Sequence, residues 1–334
     1  MIYKIIRKVL LLSIIFILFF SSWFYFEVNS PPKDTAKKIF FYVEKGKSAR
    51  SIAHNLREER IIKKEWTFLL AYELFFHNKS LKAGEYSFSL PVSVKDVLHT
   101  LTDGKMALHS FTVPEGLTRK EIADLLESLF LFNAEDFLKA SASTESISSF
   151  DKKAQNLEGY LYPETYYFPR NITAKETVSA LTKQFKRVFS EEWKVRASAI
   201  GMTVREIVIL ASLIEKETSL PEEKSSISAV LHNRLKIGMK LDCDPTIIYV
   251  LKQENKFKGR LRKKDLKLDN PYNTYLFSGL PPSPIANPGK DSLRAALYPD
   301  DNNYLYFVSK NDGSHYFSSS FKEHQRAVNK FQRK

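Results

Sequence analysis

Thr203 to Thr218, TVREIVILASLIEKET, is the stretch on which the fold turns. Thr203 with Glu206 three residues on is a capping box, so the spacing predicts a helix that starts here. Ile207, Leu210, Ala211 and Ile214 mark its main apolar face, and Val208, Ile209 and Leu213 cover most of the rest. Only Arg205, Ser212 and Lys216 line up as a polar strip. A helix apolar nearly all round is a buried helix. At about 100° per residue, Glu215 falls beside Val204, Val208 and Ala211 and off that strip. The stretch thus carries a carboxyl group at the end of a core helix.

Two readings of Glu215 stay open at this point. One is an ordinary helix-end carboxylate paired with a Lys or Arg. The other is a general acid: burial disfavours the charged form of a carboxyl, and the negative end of the helix dipole pushes the same way. Glu217 lies on another side of the helix and is expected to be a paired, structural residue.

The chain has 334 residues, enough for two or three domains, and a net charge of +13. Its basic residues are spread along the chain among acids, and no RNA- or DNA-binding motif appears, so nucleic acid is not an expected partner. An anionic membrane surface or polymer suits the charge better. Val9 to Phe26, VLLLSIIFILFFSSWFYF, is an uncharged apolar run preceded by Lys4, Arg7 and Lys8. It approaches the roughly 20 residues that span a bilayer, and Trp23 and Tyr25 suit an interface. Val28-Asn29-Ser30 before Pro31 is a poor cleavage site, so a retained anchor is expected rather than a signal peptide. Lys33, Lys37 and Lys38 nearly balance the upstream charges, but a short basic tail stays in the cytoplasm and a long C-terminal part translocates largely regardless of charge, which places the bulk outside the cytoplasmic membrane. The single cysteine, Cys243, allows no internal disulfide.

The expected layout is a tail (1–8), an anchor (9–28), a linker (29–38), a small αβ module (39–105), a second strand–helix unit (106–150) and an α+β domain (151–334). A repeat underlies the middle of it. Val43-x-x-Gly46-x-Ser48-x-x-x-Ile52-Ala53-x-x-Leu56 recurs as Val113-x-x-Gly116-x-Thr118-x-x-x-Ile122-Ala123-x-x-Leu126. Each copy predicts a strand, a glycine turn, a Ser or Thr N-cap and an amphipathic helix. The first copy continues through a second helix near Lys64 to Phe76 into the alternating strand Ala83 to Phe88. That strand–helix–helix–strand order resembles a LysM-like module, which implies binding to N-acetylglucosamine polymers; the alternative is a plain spacer.

Ser141 to Ser149 lacks a helical pattern and is expected to be a loop. Leu157 to Arg170, LEGYLYPETYYFPR, crowds Tyr160, Tyr162, Tyr166, Tyr167 and Phe168 around two prolines, an irregular aromatic wall that also carries Glu158 and Glu164. Its aromatics could stack on sugars or pack in a core. Helices are expected over Thr173 to Phe189 and from Pro221 to a stop at Gly238. The basic stretch Lys252 to Lys267 reads as a solvated face. Tyr272 to Gly289 contains YNTY and SGLPPSPIANPG and reads as one long loop, a feature usually tied to function. Tyr304 to Val308 and His315 to Ser318, joined through Asn311-Asp312-Gly313, predict a hairpin.

ASLIEKET, LEGYLYPETY, HNRLKIGMKLDCDPT, YNTY, GLPPSPIANPG and YLYFVSKNDGSHYFS together resemble the YceG-like family of endolytic murein transglycosylases, from about residue 107 onward. Asp242-Cys243 and Ser283 depart from the expected Gln-Ser-like pair and Gly. The resemblance implies that Glu215 is the catalytic acid/base of a lytic transglycosylase, cutting between N-acetylmuramic acid and N-acetylglucosamine to leave 1,6-anhydro ends. It also implies peptidoglycan strands, the membrane and peptidoglycan synthases (penicillin-binding proteins) as partners. From residue type, Glu158, Tyr160, Glu164, Tyr166, Asp244, Thr246, Asn273, Tyr275, Gly279, Leu280 and Pro282 are assigned to substrate contact. The alternatives are a hydrolytic muramidase, with Glu164, Asp244 or Glu217 as second carboxylate, and a non-catalytic glycan-binding scaffold. No cofactor or metal is expected: the histidines are scattered and no phosphate-binding glycine loop is present.

Overall fold

A computed structural model describes residues 2–31, 36–129 and 132–333. Residues 32–35 of the expected linker lie outside the described residues. The chain divides into two compact units, residues 1–110 with 167–172, and residues 111–166 with 173–334. Among the described residues strands occur as three separate two-stranded sheets among helices, an α+β arrangement.

The first unit begins with α1 (Ile2–Asn29), a helix long and apolar enough to cross a membrane. It extends the expected apolar run at both ends. Its C-terminal turns are covered by protein: Phe24 and Val28 are buried, and Trp23 stacks on Trp66 at 5.6 Å. There follow β1 (Lys37–Val43), α2 (Ala49–Glu58), α3 (Glu65–Phe75) and β2 (Gly84–Leu90). β1 and β2 pair antiparallel, from Lys37 opposite Leu90 to Val43 opposite Gly84. The strand–helix–helix–strand order read from the repeat is therefore present. α4 (Val94–Asp103) closes the unit, burying Val97, Leu98 and Leu101 beside Ile52, Leu56 and Phe68.

β3 (His109–Thr112) pairs with β4 (Thr165–Phe168), and the chain passes between units within these strands. The wall was expected to be irregular throughout; β4 forms because Thr165 to Phe168, between Pro163 and Pro169, is free of proline and β-prone. The second copy of the repeat repeats the first in structure. Gly46 and Gly116 both take left-handed φ, and Ser48 and Thr118 both cap the following helix. That helix is α5 (Arg119–Ser128), which buries Ile122, Ala123 and Leu126 as α2 buries Ile52, Ala53 and Leu56.

After α6 (Ala134–Ala140) come α7 (Ala174–Val188) and α8 (Glu191–Ala199), then α9 (Val204–Glu217). Thr203 and Glu206 form the capping box of α9 as read from the sequence. Every residue from Ile207 to Ile214 is buried, because α8, α10 (Lys224–Lys236), α11 (Asp244–Gln253) and α12 (Lys290–Leu297) all pack on this helix. Ser212 leaves the polar strip for this reason. Its hydroxyl donates to Ile209 O at 2.7 Å and accepts from Ile285 N–H at 3.1 Å, pinning the long loop to the helix. That loop, residues 268–289, contains no helix or strand, yet residues 284–289 are buried. β5 (Tyr306–Ser309) and β6 (His315–Ser318) form the expected hairpin, and α13 (Phe321–Phe331) follows it.

Candidate active site

Glu215 stands in the last turn of α9 with its side chain 8% exposed. The sequence reading put it on an apolar flank; the structure corrects this. Lys224 Nζ lies 3.3 Å from Oε1 and 3.4 Å from Oε2, and Gly289 N–H donates to Oε2 at 3.0 Å. Neither partner is visible in the helix, because Lys224 opens α10 and Gly289 is the N-cap of α12. The C-terminal dipole of α9 opposes negative charge here, while the N-terminus of α12 favours it. The carboxylate is also placed by its neighbours: Lys216 Nζ donates to Gly116 O at 3.1 Å and Gly116 N–H donates to Asn287 O at 2.9 Å.

A second carboxylate joins the group. Glu115 precedes Gly116 in the second repeat, half-exposed, with Oε2 3.8 Å from Lys224 Nζ. Burial, and next the charge of Glu215, raise its carboxyl above the ordinary range. Sequence reasoning missed Glu115, Lys224 and Gly289, although Glu115 lies within the repeat it identified. A carboxylate in a turn gives no signal of the helix end it will meet.

The expected contact residues fall into three places. Glu158 is buried in a clamp that joins the second repeat to the long loop. Its Oε1 accepts from Arg119 N–H at 2.8 Å and from Asn287 Nδ2 at 3.1 Å, and its Oε2 accepts from Tyr249 Oη at 3.3 Å. Burial outweighs these donors and pushes it up to about 7. Tyr160 is fully buried and donates to Asp151 Oδ2 at 2.8 Å; Tyr166 donates to Tyr162 O at 2.7 Å. Glu164 accepts from Gln184 Nε2, and its carbonyl accepts from Val113 N–H at 2.9 Å.

The second place is the start of α11. Tyr275 donates to Asp244 Oδ1 at 2.6 Å, and Thr246 donates to Cys243 O at 2.7 Å. Asn273 is fully buried, its amide donating to Leu266 O and Leu268 O at 3.1 and 2.7 Å, so it shapes the loop from within. Glu217 faces this cluster and is not the ion-paired residue expected of it. Among the described residues it has no salt bridge; burial pushes it up to about 7, with the Cys243 thiol as hydrogen-bond partner. Arg234, whose charge reaches it, turns its own hydrogen bonds to Leu241 O at 2.9 Å, Leu305 O and Asp242.

The third place is a groove of about 920 Å³ at the N-terminal end of α9, lined by Gly279, Leu280 and Pro282 with Phe150, Arg205 and Asn233. Ten residues at 1.5 Å rise put Arg205 roughly 15 Å along the helix from Glu215. Glu215 does not line this groove, so the groove and the acid site are different places. Arg205 is fixed there by Asp151 and by Pro282 O. Among the described residues no group of three or more His, Cys, Asp or Glu side chains is arranged to hold a metal ion.

What the arrangement can do is take up and release a proton at one sheltered carboxyl, with a cation and a peptide N–H to receive the charge. Residues 41–330 match the YceG-like family. The chain is 33% identical over 315 residues to a protein of Bacillus subtilis (strain 168) named endolytic murein transglycosylase, covering 90% of this chain and 86% of that one. It is 27% identical over 331 residues to a protein of the same name from Streptococcus pneumoniae serotype 2, covering 88% of this chain and 58% of that one. A crystal structure of a YceG-like protein from Listeria monocytogenes superimposes with a TM-score of 0.59 at 31% identity, over 86% of this chain and 98% of that one. The chain belongs to the YceG-like family.

Proposed function

We propose that this protein is a membrane-anchored endolytic murein transglycosylase in which Glu215 is both acid and base. The observation that carries the reading is the sheltered Glu215 carboxyl, held between Lys224 and Gly289 N–H in a family whose relatives bear that name. Protonated Glu215 donates to the oxygen joining N-acetylmuramic acid C1 to N-acetylglucosamine as the C1–O bond breaks. The muramic C6 hydroxyl oxygen then bonds to C1, and its proton returns to the Glu215 carboxylate. No water is consumed and one residue serves twice, with the attack gaining from proximity. Between the two transfers Glu215 is an anion out of water, and Lys224 with the α12 N-terminus is placed to stabilise it.

The helix α1 would hold the enzyme in the cytoplasmic membrane with both units outside, beside peptidoglycan synthases. The β1–α2–α3–β2 portion would serve as a LysM-like element near the glycan. Mass spectrometry of digested peptidoglycan tests the activity. Internal cuts with 1,6-anhydro-N-acetylmuramic acid ends, lighter by one water than hydrolytic ends, are expected. Reducing ends would mean that water attacks, and Glu115, which shares Lys224 with Glu215, would then be a second carboxylate to activate it.

A further inference from the structure

Glu115 has no task in the reaction as written, yet its placement is specific. It is half-exposed in the Val113-Pro114-Glu115-Gly116 turn, while Glu215 is sheltered. Both carboxylates are drawn to one buried cation, whose nitrogen is 3.3 and 3.4 Å from the oxygens of Glu215 and 3.8 Å from Glu115 Oε2. Lys224 and Glu215 are only 5% and 8% exposed, so solvent does little to screen that pair, while Glu115 stands half in water. Glu115 also presses on the Gly289 backbone, whose N–H holds Glu215: a Cβ at position 289 would overlap the Glu115 carboxylate.

We infer that Glu115 is a positioning residue that shares Lys224 with Glu215, so that the two carboxylates together keep one proton at the working pH and Glu215 can act as an acid. The inference rests on the general-acid reading of Glu215. One buried carboxylate beside one ammonium is neutral when both are charged, and nothing in that pair calls for a proton. A second carboxylate makes the fully ionised set negative, and one bound proton restores neutrality. The proton then belongs to the set and not to either residue.

Among the other charged groups around Glu115, Asp291 acts in the same sense, and the cations Lys216 and Arg119 direct their hydrogen bonds to other groups. Asp291, in the first turn of α12, adds a negative charge that raises Glu115 further. Lys216 on α9 is turned to Gly116 O. Arg119, on the following helix, is turned to Leu138 O and Ser141 Oγ. Tyr162 stays neutral, pushed up to about 12 by burial and then by Glu115 itself.

The test is kcat/KM for release of anhydro ends against pH, in the full-length protein, for wild type, Glu115→Gln, Glu115→Ser and Glu115→Asp. In the Gln and Ser variants Lys224 serves Glu215 alone. The alkaline limb should then move to lower pH by about one unit, a roughly tenfold loss near neutrality that fades toward low pH. Glu115→Asp keeps the charge and should keep the limb in place. A residue that only supports the fold would lower the rate at every pH without moving the limb. If Gln and Ser leave the limb unmoved while wild type releases anhydro ends, the inference falls and the catalytic reading stands. If neither variant folds, Glu115 is a structural residue and the inference falls likewise. A wild-type protein that releases no anhydro ends overturns both.

Discussion

At the residue scale, Glu215 and Glu217 lie two positions apart on one helix and are set to different work by what faces them. Glu215 meets a cation and a peptide N–H; Glu217 meets a thiol. Glu215→Gln keeps the shape and removes proton transfer. Activity should fall by at least the upper end of the usual 10²–10⁴-fold for general acid/base loss, since one group supplies both steps. Folding and membrane insertion should survive, as circular dichroism and fractionation would show. Glu217→Gln should retain turnover within about an order of magnitude, read from the same digests. Glu158 makes a different prediction, about stability. Its folded value of about 7 exceeds the ordinary 4.5, so the folded protein binds this proton more tightly than the unfolded chain. The resulting stability is fully present below about pH 4.5 and is lost as pH rises through 7. The loss is on the order of 3 kcal/mol at its limit. Glu158→Gln can still accept from Arg119 N–H and Asn287, and it should flatten the fall in melting temperature between pH 5 and pH 8.

At the scale of elements, the helices of the repeat and the capping-box helix α9 were legible because their signals are local, whereas α4, α6, α8, α11, α12 and α13 went unread. Thr203–Glu206 and Ser48 show their capping roles within four residues, and the structure has both caps. Ser48→Ala or Thr118→Ala should therefore cost about 0.5–2 kcal/mol in denaturant melts, without change in the folded spectrum. What was not legible is what other segments bring to a helix end. Lys224 reads as an unremarkable residue after Pro221-Glu222-Glu223, and Gly289 as the end of a proline loop, until the fold sets both against Glu215. Ser212 is the same case, a polar-strip residue by spacing and a buried anchor by packing. The long loop is held by close approach as well as by hydrogen bonds. Gly159 has a φ of +88°, and a Cβ there would meet Pro284 at 2.5 Å and Val208 at 2.9 Å. Gly159→Ala should cost about 1–3 kcal/mol, and its activity loss should exceed what lowered stability explains, because Pro284 leads directly to Asn287 and Gly289.

At the scale of the whole molecule, the point to settle is where α1 stops being membrane and starts being protein. The helix has 28 residues, about 42 Å at 1.5 Å each, against a hydrocarbon core of about 30 Å. The surplus lies at both ends, since Lys4, Arg7 and Lys8 precede the uncharged run that starts at Val9. At the C-terminal end Phe24 and Val28 are buried, Trp23 stacks on Trp66, and Glu27 pairs with Lys64 at 3.0 Å. An ion pair and two stacked indoles belong at an interface, so the spanning part should run from about Val9 and end between Trp23 and Glu27, with the first unit resting at the membrane surface. Lys4, Arg7 and Lys8 are nearly balanced by Lys33, Lys37 and Lys38, so the orientation rests on a short basic tail staying in the cytoplasm while a long C-terminal part translocates whatever its charge. Protease added to intact spheroplasts should therefore digest everything from about residue 37 onward and leave only a small membrane-bound fragment. A cysteine introduced at Lys45, in the exposed turn after β1, should react with an impermeant thiol reagent from outside, whereas the buried Cys243 should not. Protection of the C-terminal units, or labelling at position 45 only after lysis, would put the active site in the cytoplasm. The peptidoglycan substrate would then be out of reach and the proposed activity untenable.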